Sequence, residues 1–128
     1  MNYAKRAFRP QRFQDMDDNT YAALLFSIVG IIYIGLGIPL LLGRIPPNSW
    51  YGCRTHKTLS SDEIWYSVNR VTGRYMVVSG VAVMLSAFGV FIFRRSLGPD
   101  HGAAILLVVL VLSVLGMVVE SLRAQRKL

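Results

Sequence analysis

The sequence predicts an all-α integral membrane protein with three transmembrane helices, and three observations lead there. Hydrophobic residues occupy 53% of the 128 positions and mean hydropathy is +0.44. The runs 21–42, 75–93 and 103–119 contain no Lys, Arg, Asp or Glu, so the formal charge of +7 is confined to the segments between and beyond them. A chain divides itself in this way when lipid is the solvent for part of it. Basic residues placed at the ends of apolar runs also point to a lipid headgroup partner and away from nucleic acid.

The elements follow in order. Residues 1–20 form a polar N-terminal tail, mixing Lys5, Arg6, Arg9 and Arg12 with Asp15, Asp17 and Asp18. Its sharper alternative is a helix on the headgroups, with Phe8 and Phe13 dipping in. The run 21–42 is too long for the h-region of a signal peptide and is not followed by a small-x-small site, so it reads as the first span. At about 1.5 Å per residue it crosses a hydrocarbon core of roughly 30 Å. Gly35, Gly37 and Pro39 in its second half point to a bend or a close helix contact, which lipid-embedded helices tolerate. The second span covers 75–93 and is closed by Arg94 and Arg95. Within it Ser79, Ala82, Ser86 and Gly89 form a small-residue stripe, expected to be the packing seam for the Gly35 and Gly37 region or for a second copy. The third span, about 103–121, is the most uniformly Leu/Val-rich, and 123–128 is a basic C-terminal tail. Residues 21–122 thus form one membrane domain, with 43–74 as the loop that carries its chemistry.

That loop holds Pro46, Pro47 and Gly52 and should begin irregularly. Ser60 followed by Glu63 is a capping box, which places Ser60 as the N-cap of an amphipathic helix over about 61–72. Ile64, Trp65, Val68 and Val71 share one side of it. The helix either lies in the interface or continues into the second span, and the continuous form is preferred because Thr72, Gly73 and Arg74 do not oblige a stop. With three crossings, Lys5, Arg6, Arg9, Arg12, Arg94 and Arg95 share one side of the membrane. Arg44, Arg54, Lys57, Arg70, Arg74, Arg123, Arg126 and Lys127 share the other. Eight against six is a bias that favours the loop and the C-terminus being cytoplasmic.

No metal site, cofactor motif or catalytic constellation is present in the pattern. His56 and His101 fall on opposite sides, and single Cys53 forms neither an internal disulfide nor a metal cluster. No phosphate loop or nucleophile elbow occurs, which points away from an enzyme. The uncharged spans likewise argue against an ion-coupled transporter built from one subunit. What remains is a binding surface in the loop, composed of Asn48, Tyr51, Gly52, Arg54, Thr55, Thr58, Trp65, Asn69 and Arg70. Arg54 stands out, because a guanidinium between Gly52 and Thr55 can offer two parallel donors to an anion or to Asp62 or Glu63. Partners of that chemistry are an anionic lipid, an acidic partner segment or a cytoplasmic regulator, beside the bilayer itself.

An Asn a few residues before Gly-x-Arg-Thr, then Thr-Leu, an acidic pair, Trp and Asn-Arg, all between two spans, resembles the SdpI family of bacterial membrane proteins. The positions are Asn48, Gly52, Arg54, Thr55, Thr58, Leu59, Asp62, Glu63, Trp65, Asn69 and Arg70, within about 21–93. The resemblance implies a multi-pass protein of the bacterial inner membrane with the motif loop in the cytoplasm. It further implies immunity to a membrane-active toxin peptide, or recruitment of a regulator, through residues 48–70. A homo-oligomer or a larger membrane complex is compatible with it. The alternative reading is a lipid-facing enzyme or transporter component with an interfacial polar site.

Overall fold

The computed structural model describes residues 16–128. Most of the polar N-terminal tail, including Phe8 and Phe13, therefore lies outside the described residues. Three helices account for most of the rest: α1 over Asp18–Leu41, α2 over Asp62–Phe93 and α3 over His101–Arg126, with a single 3-10 turn at Thr58–Ser60. There is no strand among the described residues. Each helix is long and apolar enough to cross a membrane. Leu85, Phe88 and Leu112 are more than 60% exposed, an outward apolar belt that water would oppose and hydrocarbon accepts.

Helix α1 starts earlier than the boundary at residue 20, because Asp17 accepts a 2.9 Å bond from the Thr20 N–H and caps it. That bond holds the exposed Asp17 carboxyl below its ordinary pKa. The other end closes with Gly43 at φ 64, its N–H on the Leu40 carbonyl and the Arg44 N–H on that of Pro39. This Schellman pattern needs a left-handed residue, which glycine supplies without steric cost. The Arg70 guanidinium lies over Gly43, where a Cβ would approach its Nε to 3.0 Å.

Helix α2 runs unbroken through Gly73, in the continuous form preferred from the sequence. Its first turns are packed within the protein, with Trp65 and Val68 fully buried. The N-cap is Ser61 and not Ser60, and the capping box does not form. Ser60 is consumed by the 3-10 turn, where its hydroxyl donates to the Lys57 carbonyl at 2.7 Å. Glu63 consequently sits one position too early to reach back, although Asp62 and Glu63 still favour the helix start electrostatically.

The α1–α2 seam also differs from the expected stripe. A Cβ built on Gly73 would lie 2.6 Å from the Gly37 carbonyl oxygen, and one on Gly80 would lie 2.6 Å from that of Gly30. Ala23 and Ala87, buried in one cluster, continue the same register seven residues further along both antiparallel helices. Gly37 is thus used as expected, whereas Gly35 and Gly89 meet nothing within 4 Å. Ala82 and Ser86 are only half-buried, and Ser79 is buried. At about 100° per residue, Ala82 stands some 160° around the helix from Gly80, so the two cannot share one contact.

At the end opposite the loop, Ala22, Ala23, Ala87, Val90 and Leu106 form the core. Asn19, 4% exposed, organises that end. Its amide nitrogen faces the carbonyls of Arg94, Leu97 and Gly98 at 3.3–3.4 Å, while its oxygen accepts the Gly102 N–H at 2.9 Å. One side chain thereby satisfies both the end of α2 and the start of α3.

Candidate functional site

Nearly every polar residue singled out in the loop has a definite structural task. Asn48 makes an Asx turn: its oxygen accepts the Trp50 and Tyr51 N–H groups at 3.0 and 2.7 Å, and its nitrogen donates to the Pro46 carbonyl. Thr55 and Thr58 form a reciprocal pair, the Thr55 N–H on Thr58 Oγ1 at 2.8 Å and the Thr58 N–H on Thr55 Oγ1 at 3.1 Å. Thr58 Oγ1 also lies 2.9 Å from the Cys53 carbonyl, and Thr58 is completely buried. Trp65 is a deep anchor whose Nε1–H donates to the Ile45 carbonyl at 2.8 Å.

Asn69 joins the loop to α2. Its side-chain oxygen accepts the Cys53 N–H at 2.6 Å, and its nitrogen donates to the Trp65 carbonyl at 3.0 Å. The backbone must come close for this, and Gly52 allows it. At φ 105 a Cβ there would be strained and would also lie 2.5 Å from the Asn69 oxygen. Tyr51 spans to the first helix, its hydroxyl donating to the Leu36 carbonyl. Partial burial raises its pKa above the ordinary phenol value.

Sequence reasoning missed the third side of this frame, which comes from the end of α3. Helix α3 continues through the segment read as a basic tail, and Gln125 is buried beneath the loop. Thr55 Oγ1 donates to Gln125 Oε1 at 2.8 Å, Lys57 Nζ to the Gln125 carbonyl at 2.5 Å, and Gln125 Nε2 faces Cys53 Sγ at 3.4 Å. Burial raises the Cys53 thiol pKa, against weaker opposing contributions from Thr72 and Gln125. One turn earlier Ser121 and Thr72 place their hydroxyls 2.8 Å apart in the buried α2–α3 seam. The available signal was spacing: Ser121 and Gln125 are one helical turn apart near the end of α3.

Arg54 differs from its neighbours. It is exposed, and among the described residues it makes no ion pair with Asp62 or Glu63, contrary to one expectation from the sequence. Trp50, 79% exposed, stacks on Tyr51 with ring centroids 5.7 Å apart and so is held outward beside it in the chain. His56 is exposed in the loop and His101 starts α3, at opposite ends of the molecule. Among the described residues no three His, Cys, Asp or Glu side chains gather where they could hold a metal ion.

Below the loop the helices leave a cleft of about 360 Å³, lined by Leu36 and Leu40 of α1, Thr72 and Met76 of α2, and Met117, Val118, Ser121 and Leu122 of α3. Tyr51, Gly52 and Cys53 cover it.

No curated protein and no solved structure matches the chain significantly. A family model does match, over residues 44–120. That segment holds the motif loop, all of α2 and most of α3, and it leaves out α1, so its coverage is shifted from the 21–93 expected from the motif. It is more than half of the chain, and this multi-pass membrane protein belongs to the SdpI/YfhL protein family.

Proposed function

We propose that the protein is a membrane-embedded binding and protection module whose loop 48–70 captures a membrane-active peptide at the cytoplasmic face of a bacterial inner membrane. The observation that carries this reading is the division of labour inside the family motif. Asn48, Gly52, Thr55, Thr58, Trp65 and Asn69 are spent on holding the loop, whereas Arg54, Trp50 and His56 face outward from it. A pre-ordered backbone that presents an unpaired guanidinium and an exposed Trp from one loop has the composition of a binding hot spot, with little ordering entropy left to lose. The fork of Arg54 suits a carboxylate of the captured peptide, and Trp50 suits its apolar part. Family membership supports the protective role. Loop and C-terminus are joined at one end through Gln125, which supports reading the basic residues of both as one cluster, and the positive-inside bias supports a cytoplasmic side for it.

The test is survival of gene-deleted cells challenged with a panel of membrane-active peptides, after restoration with the wild type or with Arg54→Lys. Loss of protection in the variant, at normal membrane insertion, supports recognition by the guanidinium fork. Full protection by Arg54→Lys reduces Arg54 to a topology anchor and ends the proposal. Labelling of Cys53 in intact Asn69→Ala cells by a membrane-impermeant thiol reagent would reverse the assigned side.

A further inference from the structure

The cleft beneath the loop has a chemistry of its own, separate from the exposed face that carries Arg54. At the far end α1 and α3 are brought together by Asn19 and Gly102 and by Ala22, Ala23 and Leu106. Toward the loop they part, leaving about 360 Å³, which is within the roughly 300–1,000 Å³ usual for sites of small ligands. Leu36, Val118 and Leu122 on its two walls are each about 45% exposed, so its open side faces the bilayer between α1 and α3.

Its polar atoms decide what fits. The two protons of the Thr72 and Ser121 hydroxyls are shared among the Val68 and Met117 carbonyls and the hydroxyl pair itself, the Tyr51 hydroxyl is taken by the Leu36 carbonyl, and the Cys53 N–H by Asn69. A peptide entering there would carry unpaired N–H and C=O groups into a wall with few free partners. An acyl chain needs none. The flexible thioethers of Met76 and Met117 suit a chain of variable conformation.

Depth and charge supply the rest. Leu40 and Met76 mark where the first apolar run ends and the second begins, so the cleft straddles the boundary between hydrocarbon and headgroups. Eight basic residues gather at this end, against Asp62, Glu63 and Glu120. Lys57 is tied to Gln125, which in turn touches Cys53 in the roof of the cleft, and its ammonium retains further N–H donors.

We propose that the cleft seats one acyl chain of an anionic phospholipid from the surrounding bilayer, with the headgroup phosphate met by Lys57. The experiment uses the full chain in nanodiscs of equimolar phosphatidylglycerol and phosphatidylcholine, followed by native mass spectrometry from mild detergent. The expected result is one phosphatidylglycerol retained per chain, in preference to phosphatidylcholine by about tenfold, the scale of one or two basic residues at a membrane surface. Met117→Trp or Val118→Trp, which fill the cleft, should remove most of that retention with the helical melting curve unchanged. Lys57→Gln should reduce the preference for the anionic lipid and leave chain binding in place. Equal retention of both lipids overturns the proposal. So does undiminished retention by a folded, cleft-filled variant, or a photocrosslink from position 118 to a peptide or a second copy in place of an acyl chain. Should both Trp variants fail to fold, the wild type still decides: phosphatidylglycerol spin-labelled on its chain must show an immobilised component, and its absence refutes the site. Protection by a protein that binds no lipid would sink this proposal and leave the loop reading standing.

Discussion

Gly73 and Gly37 bring the backbones of α2 and α1 together so closely that a Cβ on Gly73 would lie 2.6 Å from the Gly37 carbonyl oxygen and 2.4 Å from the Leu41 nitrogen. Both obstacles are main chain, and neither can rotate away. Gly73→Ala or Gly80→Ala should therefore destabilise the bundle by about 1–3 kcal/mol, as overpacking does, despite the higher helix propensity of Ala. Gly89→Ala and Gly116→Ala meet open space and should be neutral or mildly stabilising. Unfolding in mixed micelles checks the four variants together, and equal effects at all of them would refute the seam.

Asn69 is the clasp of the loop. Asn69→Ala leaves the Cys53 N–H without its acceptor, a loss of about 1–3 kcal/mol, which corresponds to roughly one to two orders of magnitude in loop opening. The readout is the alkylation rate of Cys53, which should rise by that order. An unchanged rate would mean that the loop is held elsewhere.

Cys53 also makes a prediction about pH. Its folded pKa is raised by burial, so above the ordinary thiol value the unfolded chain loses the proton first and stability falls as pH rises toward the folded pKa. Below the ordinary thiol value the contribution is constant. Cys53→Ser should flatten the decline that sets in above the ordinary thiol value, measured as the midpoint of thermal unfolding against pH.

Thr72 and Ser121 each have a backbone carbonyl one turn earlier as well as each other. A double-mutant cycle with Thr72→Val and Ser121→Ala should accordingly give a coupling of only about 0.6 kcal/mol, the scale found between membrane helices. A value near zero would show that the two hydroxyls bond only to their own helices.

Gln125 links the end of α3 to the loop through Thr55, Lys57 and Cys53. Deleting residues 124–128 should raise hydrogen exchange in 53–58 and speed Cys53 alkylation, with protection in the three spans unaltered. Slow, unchanged exchange in the loop would refute the link.

The number of membrane-length helices was readable from the sequence because uncharged runs of this length have one good solvent, whereas the helices themselves run past the ends of those runs. The motif loop was readable too, since residue types at fixed spacing identify a family without any knowledge of their contacts. Sequence did not disclose the helix register. Small residues at steps of three and four mark a stripe, but Gly30, Gly37, Gly73 and Gly80 at steps of seven mark the contact, and only antiparallel docking reveals which set faces a backbone. The capping box failed for a related reason: a 3-10 turn at Thr58–Ser60 took the serine that the motif required.

The tasks of the loop residues were decided by tertiary structure alone. Composition could place Asn69, Trp65 and Arg54 in one loop, but could not say that the first two are buried fasteners and the third an exposed group. Asn19 carried no sequence signal, because it is a common polar residue at the end of an apolar run, and Gln125 carried only its one-turn spacing from Ser121. Their importance arises when a helix terminus 75 residues away or more, or a loop 68 to 72 residues away, finds its hydrogen-bond partner in one of these two buried side chains or its backbone.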